Sequence, residues 1–308
     1  MERITSEEIR DALLRSGYLL ESRLESTLRD KGFYVETNSA YLDPESTKSR
    51  ELDLFAMGGY RVSQYEYEFI HHVLLIEAIN NPQPIAFFTK ESQITPLHRE
   101  DIKVAGLPVK LLDKPSYNNN WLFLPEYLKM DTYHHYCQGR VATQYCSFMQ
   151  KKNDSNKKEW MASHDEAHFN IFRTLSVAVE YFQDNLYKAW KKGADSINLE
   201  FYYPLVVVQG ELLEVSSNGE HIAIEPVAHI QYRRTSIVGT REFNYQIDVI
   251  TERYVSDYLD IVKTEMEKTA ELLKEKEPEV RSAINKIISQ AQTATLYNEV
   301  KSALSFHY

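Results

Sequence analysis

The alternation of apolar and polar positions in the first ninety residues predicts a helix followed by several short strands. Leu20, Leu24 and Leu28 recur every four residues, which is typical of a helix that buries one stripe of side chains. Apolar runs too short for helices predict strands at 33–41, 49–56, 74–80 and 85–89. Aromatic and acidic residues alternate over 60–72 and favour a further exposed strand, while Gly58-Gly59 is expected to close the strand before it.

The second half of the chain predicts a long helix, more strands and a helical C-terminal segment. The helix is expected at 162–191, and Asn218-Gly219 between apolar runs is a strong hairpin signal. Strands are predicted at 104–112, 141–149, 199–208, 211–215, 222–233 and 245–250, and the helical structure from 252 onward is interrupted at Pro278. The pattern indicates an α/β domain over 1–262, elaborated in 91–200, with a helical tail over 263–308.

Composition narrows the class of protein. The 308 residues are 43% hydrophobic and 26% charged, which is enough to bury a sizeable core. A net charge of −10 argues against a broad nucleic-acid-coating surface but is compatible with a local basic groove. Cys137 and Cys146 have no zinc-type spacing and are expected to be reduced core thiols. Because we find no signal-peptide pattern and no apolar run of about 18 residues, a cytoplasmic protein without a membrane partner is expected.

Two acidic residues lie inside the apolar strands of the first half. Asp53 is flanked by Leu52 and Leu54, and Glu77 follows Leu74-Leu75-Ile76. An acid in a buried strand is costly unless it is paired, hydrogen-bonded or bound to a metal. Two acids on neighbouring strands therefore suggest a divalent-cation site, and the alternative is that each is a salt-bridged carboxylate at a strand end.

The order of these motifs resembles the PD-(D/E)xK, or restriction-endonuclease-like, superfamily. The resemblance rests on Gly17-Tyr-Leu-Leu-Glu21, Lys48-Ser-Arg-Glu-Leu-Asp53-Leu-Phe-Ala and Leu-Ile-Glu77-Ala-Ile79-Asn, and it covers residues 13–90. A weaker likeness continues at 203–210 and 246–251. The resemblance implies a restriction-endonuclease-like mixed sheet flanked by helices, with additional strands and the C-terminal helical tail.

The resemblance also implies a catalytic role for Glu21, Asp53 and Glu77. Asp53 and Glu77 would hold Mg²⁺, or Mn²⁺, beside a scissile phosphate of DNA, because Mg²⁺ prefers hard oxygen ligands. Glu21 would steady a metal-bound water, and the metal would lower the pKa of that water. The implied function is metal-dependent hydrolysis of phosphodiester bonds.

The chain departs from the family at its lysine, whose position is occupied by Ile79. Asn80 faces the opposite side of a regular strand, which leaves Lys90 or Gln83 as candidate replacements. Two hypotheses therefore stay open: Mg²⁺-dependent hydrolysis of DNA, or a catalytically degenerate nuclease-fold protein that acts as a nucleic-acid- or protein-binding or assembly module. The charged C-terminal helix is typical of packing or self-association, so a protein partner or a homo-oligomer is also open.

Histidine and lysine clusters complete the candidate chemistry. His164-Asp-Glu-Ala-His168 places two histidines on one helix face, but Asp165 stands where the metalloprotease pattern needs Glu, which favours a polar helix start. The pairs His71-His72 and His134-His135 are expected to diverge, as neighbours in a strand do. Candidate phosphate contacts, with a solvated charged surface as the alternative, are Lys151, Lys152, Lys157, Lys158, Lys188, Lys191 and Lys192, and a second group of Arg233, Arg234 and Arg241.

Overall fold

The computed structural model of the protein describes residues 3–290 apart from 17, 44–45, 66, 82, 92–100, 113–120, 153–156, 165, 190–195, 218, 220 and 239–240. The predicted tail therefore extends beyond the described residues at 291–308. Lys191 and Lys192 also lie outside them, as do the side chains of Lys188 and Arg241.

Two helices open the chain, and four strands follow. α1 spans Ser6–Arg15 and begins with a capping box between Thr5 and Glu8, and α2 spans Tyr18–Asp30. The next strands are β1 (Tyr34–Leu42), β2 (Ser49–Arg61), β3 (Phe69–Asn80) and β4 (Ile85–Glu91). The three leucines of α2 are buried, as their spacing predicts.

The rest of the described chain adds ten strands and four helices. The middle contains β5 (Lys103–Leu107), β6 (Lys110–Leu112), β7 (Trp121–Phe123), the short α3 (Leu124–Tyr127), β8 (Arg140–Lys152), β9 (Lys158–Ser163) and α4 (Glu166–Ala189). The last part contains β10 (Asn198–Gln209), β11 (Leu212–Ser217), β12 (Ile222–Val227), β13 (His229–Val238), β14 (Arg241–Thr251), α5 (Val255–Glu275) and α6 (Glu277–Gln290).

One large mixed sheet forms the centre of the described structure. Its strand order is β1-β2-β3-β10-β14-β13-β8-β4-β11-β12, with β5 added to β10 and β9 added to β8. β1, β2 and β3 are antiparallel, whereas β3, β10 and β14 are parallel to one another. The strands β3 and β10 are almost continuously apolar because parallel central strands are covered on both faces.

Helices cover both faces of the sheet and divide the core in two. One apolar cluster joins the sheet to α2, α5 and α6, and includes Leu24, Ile76 and Met266. The other joins the opposite face to α4, and includes Leu75 and Phe172. The predicted α/β architecture, a mixed sheet flanked by helices with a helical C-terminal part, is confirmed.

The prediction at Gly58-Gly59 is wrong, and the strand predicted at 60–72 is wrong for the residues between β2 and β3. β2 continues through both glycines to Arg61, because the buried ring of His72 packs on Gly58, where a Cβ would lie 2.2 Å from His72 Nε2. The glycine therefore allows a close side-chain approach rather than ending the strand. Residues 60–61 end β2 and 69–72 begin β3, and the described residues between them form a connection in which Glu68 is buried and paired with the Arg281 guanidinium of α6.

Three other predicted segments differ from the structure. The strand expected at 104–112 divides into β5 and β6 around Pro108, which has no N–H for a ladder. The strand expected at 222–233 divides at Ala228 into β12 and β13, which pair with different neighbours. Of the exposed connection predicted at 151–158, Lys151 and Lys152 are the exposed end of β8 and Lys158 begins β9, while 153–156 lie outside the described residues.

The C-terminal helices belong to the main core. The expected boundary between 262 and 263 falls inside α5, and buried residues on both sides of it, such as Leu259 and Met266, join one cluster. Val280 and Ile284 of α6 are buried in the same cluster. Arg281 fastens α6 to the start of β3 through its ion pair with Glu68.

Candidate functional site

The structure brings Asp53 and Glu77 together at one end of the β2–β3 ladder. The antiparallel register pairs Leu54 with Ile76, so Asp53 and Glu77 occupy the next position on each strand. The Asp53 carboxylate accepts a hydrogen bond of 2.7 Å from the backbone N–H of Ala78, the residue after Glu77. The two acids are therefore neighbours across adjoining strands, which is the arrangement that the sequence predicts.

A local irregularity in β2 accompanies this arrangement. Leu52 belongs to the cluster against α4, whereas Leu54 belongs to the cluster against α2 and α5. Regular alternation would place both leucines on one face. Asn38 lies between the paired positions of β1 opposite Asp53 and has a φ of 52°, a left-handed conformation that asparagine tolerates. The regular strand geometry is thus interrupted at Asp53 in β2 and at Asn38 in β1.

Glu77 is the most strongly perturbed of the three acids. Its side chain lies on the strand face of Leu75 and Ile79, and the residue is 9% exposed. Burial first, then Asp53, then Glu21 raise the pKa of Glu77 well above its ordinary value. Its Oε1 has no hydrogen-bond partner among the described residues. A buried carboxylate with an unpartnered oxygen is costly as an anion unless it is hydrogen-bonded, paired or bound to a metal.

Glu21 completes the group from the first turn of α2. Burial, followed by the charge of Asp53, raises the pKa of Glu21. Burial also raises the pKa of Asp53, although the Ala78 hydrogen bond opposes it. Leu20 and Leu24 are buried under the sheet and fix the helix that carries Glu21. The charges of Asp53 and Glu21 both raise the pKa of Glu77, which favours binding of a positive ion beside it. The oxygens of the three acids do not, however, all lie within 4.8 Å of one another.

Neither the residue at the position of the family's lysine nor the nearby candidates bring a positive charge to the acids. Ile79 is 6% exposed and packs in the cluster against α4. The Asn80 side chain donates to the backbone oxygens of Leu14, at 3.0 Å, and Ser16, at 3.5 Å, at the end of α1. Lys90 lies on β4, five strand positions from β3, or about 24 Å along the sheet.

Two further residues near the acids, Tyr41 and Arg50, are not among the candidate site residues identified from the sequence. The hydroxyl of Tyr41 donates to the Thr174 oxygen of α4 at 3.1 Å, and burial followed by Glu77 raises the pKa of Tyr41. Arg50 precedes Asp53 on β2 and lowers that same pKa, but its Nε binds Asp43 at 2.8 Å. Gln83, the other proposed replacement, is partly buried in the β3–β4 loop. Among the described residues, no lysine or arginine counts among the groups that shift the pKa of Glu77.

A second cluster of charged residues is centred on His135. Both oxygens of Glu265, on α5, lie 2.9 and 3.0 Å from His135 Nδ1, and Asp248 Oδ2, on β14, lies 3.1 Å from Nε2. Tyr258 donates to the same Asp248 oxygen at 2.7 Å. Burial alone would lower the pKa of His135, but Glu265 and Asp248 outweigh it and raise the pKa to about 10. His135 is therefore a buried imidazolium between two carboxylates.

The expected divergence of His134 and His135 is wrong. The two residues lie at a turn rather than in a strand, and their rings stack with centroids 5.0 Å apart. Of the described residues, His134, His135 and Glu265 alone form a group of three or more possible metal ligands whose ligand atoms all lie within 4.8 Å of one another. The sequence offered only the adjacent pair as a signal, and its acidic partners are far away along the chain.

The hydrogen bonds of this group argue for an ion cluster in preference to a metal centre. His134 Nδ1 accepts from the Tyr136 backbone N–H at 3.2 Å, so neutral His134 carries its proton on Nε2, the atom that faces Glu265 at 3.7 Å. Burial lowers the pKa of His134 to about 4, which keeps it neutral. A metal on Nε2 would require loss of that proton while Nδ1 stays hydrogen-bonded. Glu265 is already shared by the ring and backbone N–H of His135.

This cluster reaches the surface through His229. Asp248 Oδ1 lies 2.6 Å from His229 Nε2, and His229 lines a cavity of about 280 Å³ together with Thr89, Arg140, Glu214 and Gln231. The cavity does not carry an excess of positive charge, because Arg140 is paired with Glu214 at 2.6 Å and with Glu91 at 2.7 Å.

The remaining candidate motifs do not assemble into a site among the residues that the structure describes. His164 is exposed and His168 is 5% exposed, and both rings contact Tyr145, so they do not share a solvated helix face. Arg233 lies 3.4 Å from buried Asp101, and Arg234 lies over the ring of Phe169. Cys137 and Cys146 are buried and form no disulfide, in agreement with the sequence-based expectation.

Comparison with protein-family models, curated proteins and solved structures gives no significant match. None of the described helices is both long and apolar enough to cross a membrane.

Proposed function

We propose that this protein is a nuclease-related phosphodiesterase that holds Mg²⁺ or Mn²⁺ at Asp53 and Glu77, with Glu21 as a supporting acid, and acts on DNA. The observation that carries the proposal is the buried Glu77 carboxylate. It has an unpartnered oxygen, and the described charges that shift its pKa are the negative ones of Asp53 and Glu21. Hard carboxylate oxygens from two strands are the ligand type that Mg²⁺ prefers.

The topology supports a restriction-endonuclease-like arrangement for this part of the chain. The acids follow the order implied by the resemblance, with Glu21 on a helix, Asp53 on β2 and Glu77 on β3. β3 is followed, after an insertion and α4, by the parallel strand β10. In that arrangement the ends of β2 and β3 form the reaction centre.

Each residue has a separate task in the proposed reaction. Asp53 and Glu77 bind the cation, and the Ala78 N–H holds the Asp53 carboxylate in place. Glu21 accepts a hydrogen bond from the attacking water and orients it toward the phosphate. The cation, when bound, supplies positive charge beside the phosphate and makes water more acidic. Tyr41 and Ile79 limit access of solvent to Glu77.

The residues found at and beside the position of the family's lysine support a second candidate function. Ile79 is packed in the core and Asn80 is bound to the end of α1, so neither supplies a charge. A chain that keeps the cation but lacks this charge would bind nucleic acid or a protein partner as a catalytically degenerate assembly module.

The experiment that separates these functions combines cation binding with cleavage. Binding of Mn²⁺ is measured by calorimetry, and cleavage of plasmid and single-stranded DNA is measured with Mg²⁺ or Mn²⁺. The variants are Asp53→Asn and Glu77→Gln, with Glu271→Gln on the exposed side of α5 as the matched control. We expect both site variants to lose binding and cleavage, and the control to retain them.

Each alternative outcome has a definite meaning. Cleavage that survives in Asp53→Asn would remove the proposed site. Cation binding without cleavage in the wild type would favour the degenerate function, and cleavage gained by Ile79→Lys would strengthen that result. Because lysine at a buried position threatens folding, the binding measurement on the wild type decides the matter if this variant fails to fold.

A further inference from the structure

The β8–β9 ribbon projects from the sheet. β8 pairs with β4 as far as Ser147, and its remaining residues pair with β9 alone among the described strands. Residues 149–152 and 158–162 are exposed on both faces of this ribbon. Two-stranded ribbons are marginally stable by themselves. Because the residues at the end of the ribbon are exposed, they can contact a partner without disturbing the core.

One face of the ribbon combines an aromatic ring with two positive charges. The register places Gln150 opposite Trp160 and Lys152 opposite Lys158. Directly opposed residues share a face, and alternate positions along each strand return to it, so these four side chains lie on the same face. Trp160 is 56% exposed. The opposite face contains the pairs Met149–Met161 and Lys151–Glu159.

This face is unfavourable for the protein in isolation. Like charges directly opposite each other, such as Lys152 and Lys158, destabilise a strand pair. An exposed tryptophan leaves a large apolar ring in contact with water. A partner with closely spaced negative charges and flat apolar surfaces would relieve both effects. A nucleic-acid strand with unpaired bases has both properties, since its phosphates meet the lysines and its bases stack on the ring.

We infer that the face formed by Trp160, Lys152 and Lys158 binds single-stranded nucleic acid. The choice of nucleic acid as partner rests on the proposed function, and the charge complementarity of the face supports it. Single strands are favoured because the faces of bases in a duplex are already stacked on one another. The net charge of −10 confines phosphate contacts to local positive surfaces such as this one.

The ribbon is separate from the three acids. β3, β10 and β14 run in one direction, whereas β13 and β8 run in the other. Lys152 therefore ends β8 at the edge where β3 begins, while Glu77 lies near the opposite edge of the sheet. Binding to the ribbon consequently does not require the divalent cation, and the ribbon anchors a strand at a distance from the reaction centre.

The test is the binding of fluorescein-labelled oligothymidine of about 30 nucleotides in EDTA, followed by anisotropy at several salt concentrations. Trp160→Ala is expected to raise Kd by about 5-fold to 150-fold, the equivalent of stacking one base, and Trp160→Phe by less. Lys152→Gln with Lys158→Gln is expected to reduce the salt slope by about 1.4, or about 0.7 for each phosphate contact. Met161→Ala and Lys151→Gln, on the opposite face, are the matched controls and should bind as the wild type does.

Several results would overturn this inference. These are the absence of oligothymidine binding by the wild type, equal binding by Trp160→Ala, and equal or tighter binding of a duplex of the same length. Loss of a dimer in Trp160→Ala, seen by sedimentation with unchanged oligothymidine binding, would identify the face as a self-association surface instead. Asp53→Asn is expected to bind normally in EDTA, so a failure of the proposed nuclease function is distinguishable from a failure of the ribbon.

Discussion

Glu77→Gln removes the charge of a buried carboxylate while keeping its size, and we expect it to abolish stabilisation of the protein by Mg²⁺ or Mn²⁺. In the wild type, Glu77 has an oxygen without a described partner and is surrounded by the charges of Asp53 and Glu21. A cation that joins them relieves the repulsion and binds only the folded state. Glutamine offers a neutral oxygen and leaves that binding weak.

The expected effect follows from binding linkage. At a cation concentration of about 100 Kd, exclusive binding to the folded state adds about 2.7 kcal/mol to the free energy of unfolding. With an unfolding entropy of about 2.1 cal/mol/K per residue, the 308 residues give about 0.65 kcal/mol/K, so Tm should rise by about 4 °C. Differential scanning calorimetry with and without the cation measures this shift, and Glu77→Gln should show none.

The pH dependence without a cation gives an independent readout. The pKa of Glu77 is raised in the folded protein, so its contribution to stability is complete below about 4.5, the ordinary value, and is lost as the pH rises through the raised pKa. The wild type should therefore lose stability relative to Glu77→Gln as the pH rises above about 4.5. Urea denaturation in EDTA measures the difference.

Glu265→Gln is the control for replacing a buried glutamate. Although burial opposes it, the charge and the hydrogen bonds of His135 lower the pKa of Glu265, so this carboxylate is compensated where Glu77 is not. Its loss should cost about 3–5 kcal/mol and leave the response to the cation in place. The reasoning is refuted if Glu77→Gln keeps the rise in Tm, or if in EDTA it destabilises the protein as much as Glu265→Gln does.

Two further predictions concern stability. Gly58→Ala should destabilise the protein by about 1–3 kcal/mol in urea denaturation, because the added Cβ would lie 2.2 Å from His72 Nε2, and His72→Ala in the same chain should recover part of the loss. If Gly58→Ala is neutral, the close packing of this ring is not as described. His135→Phe should cost about 3–5 kcal/mol at pH 7, because it leaves Asp248 and Glu265 buried without their cation. Since the pKa of His135 is raised to about 10, its stabilisation is complete below about 6.5 and is lost only as the pH rises through 10, so equal stability of wild type and variant at pH 7 would contradict this role.

The main elements could be predicted from local patterns. The leucine stripe of α2, the apolar strands β3 and β10 and the antiparallel pair β11–β12 each depend on residues close together in the chain. The same patterns gave a wrong prediction where a residue contacts a segment that is far away in the sequence. Gly58 is predicted to end a strand because the side chain that packs against it, His72, lies on another strand.

The candidate site divides in the same way. The order of Glu21, Asp53 and Glu77 is visible in the sequence because the acids interrupt short apolar runs on neighbouring elements. The cluster around His135 is not visible, since its partner Glu265 is 130 positions away and lies in a helix whose charged residues look solvated. A buried ion pair of this kind has no local signature.

Most helices and strands, their apolar faces and the acids that interrupt them can be predicted from local patterns, because periodicity is a property of a few consecutive residues. Which buried charges are compensated cannot, because that depends on the fold. Glu265 meets an imidazolium, whereas Glu77 meets two other carboxylates. That difference depends on which distant segments pack together, and the free energy of a buried charge is set by those neighbours.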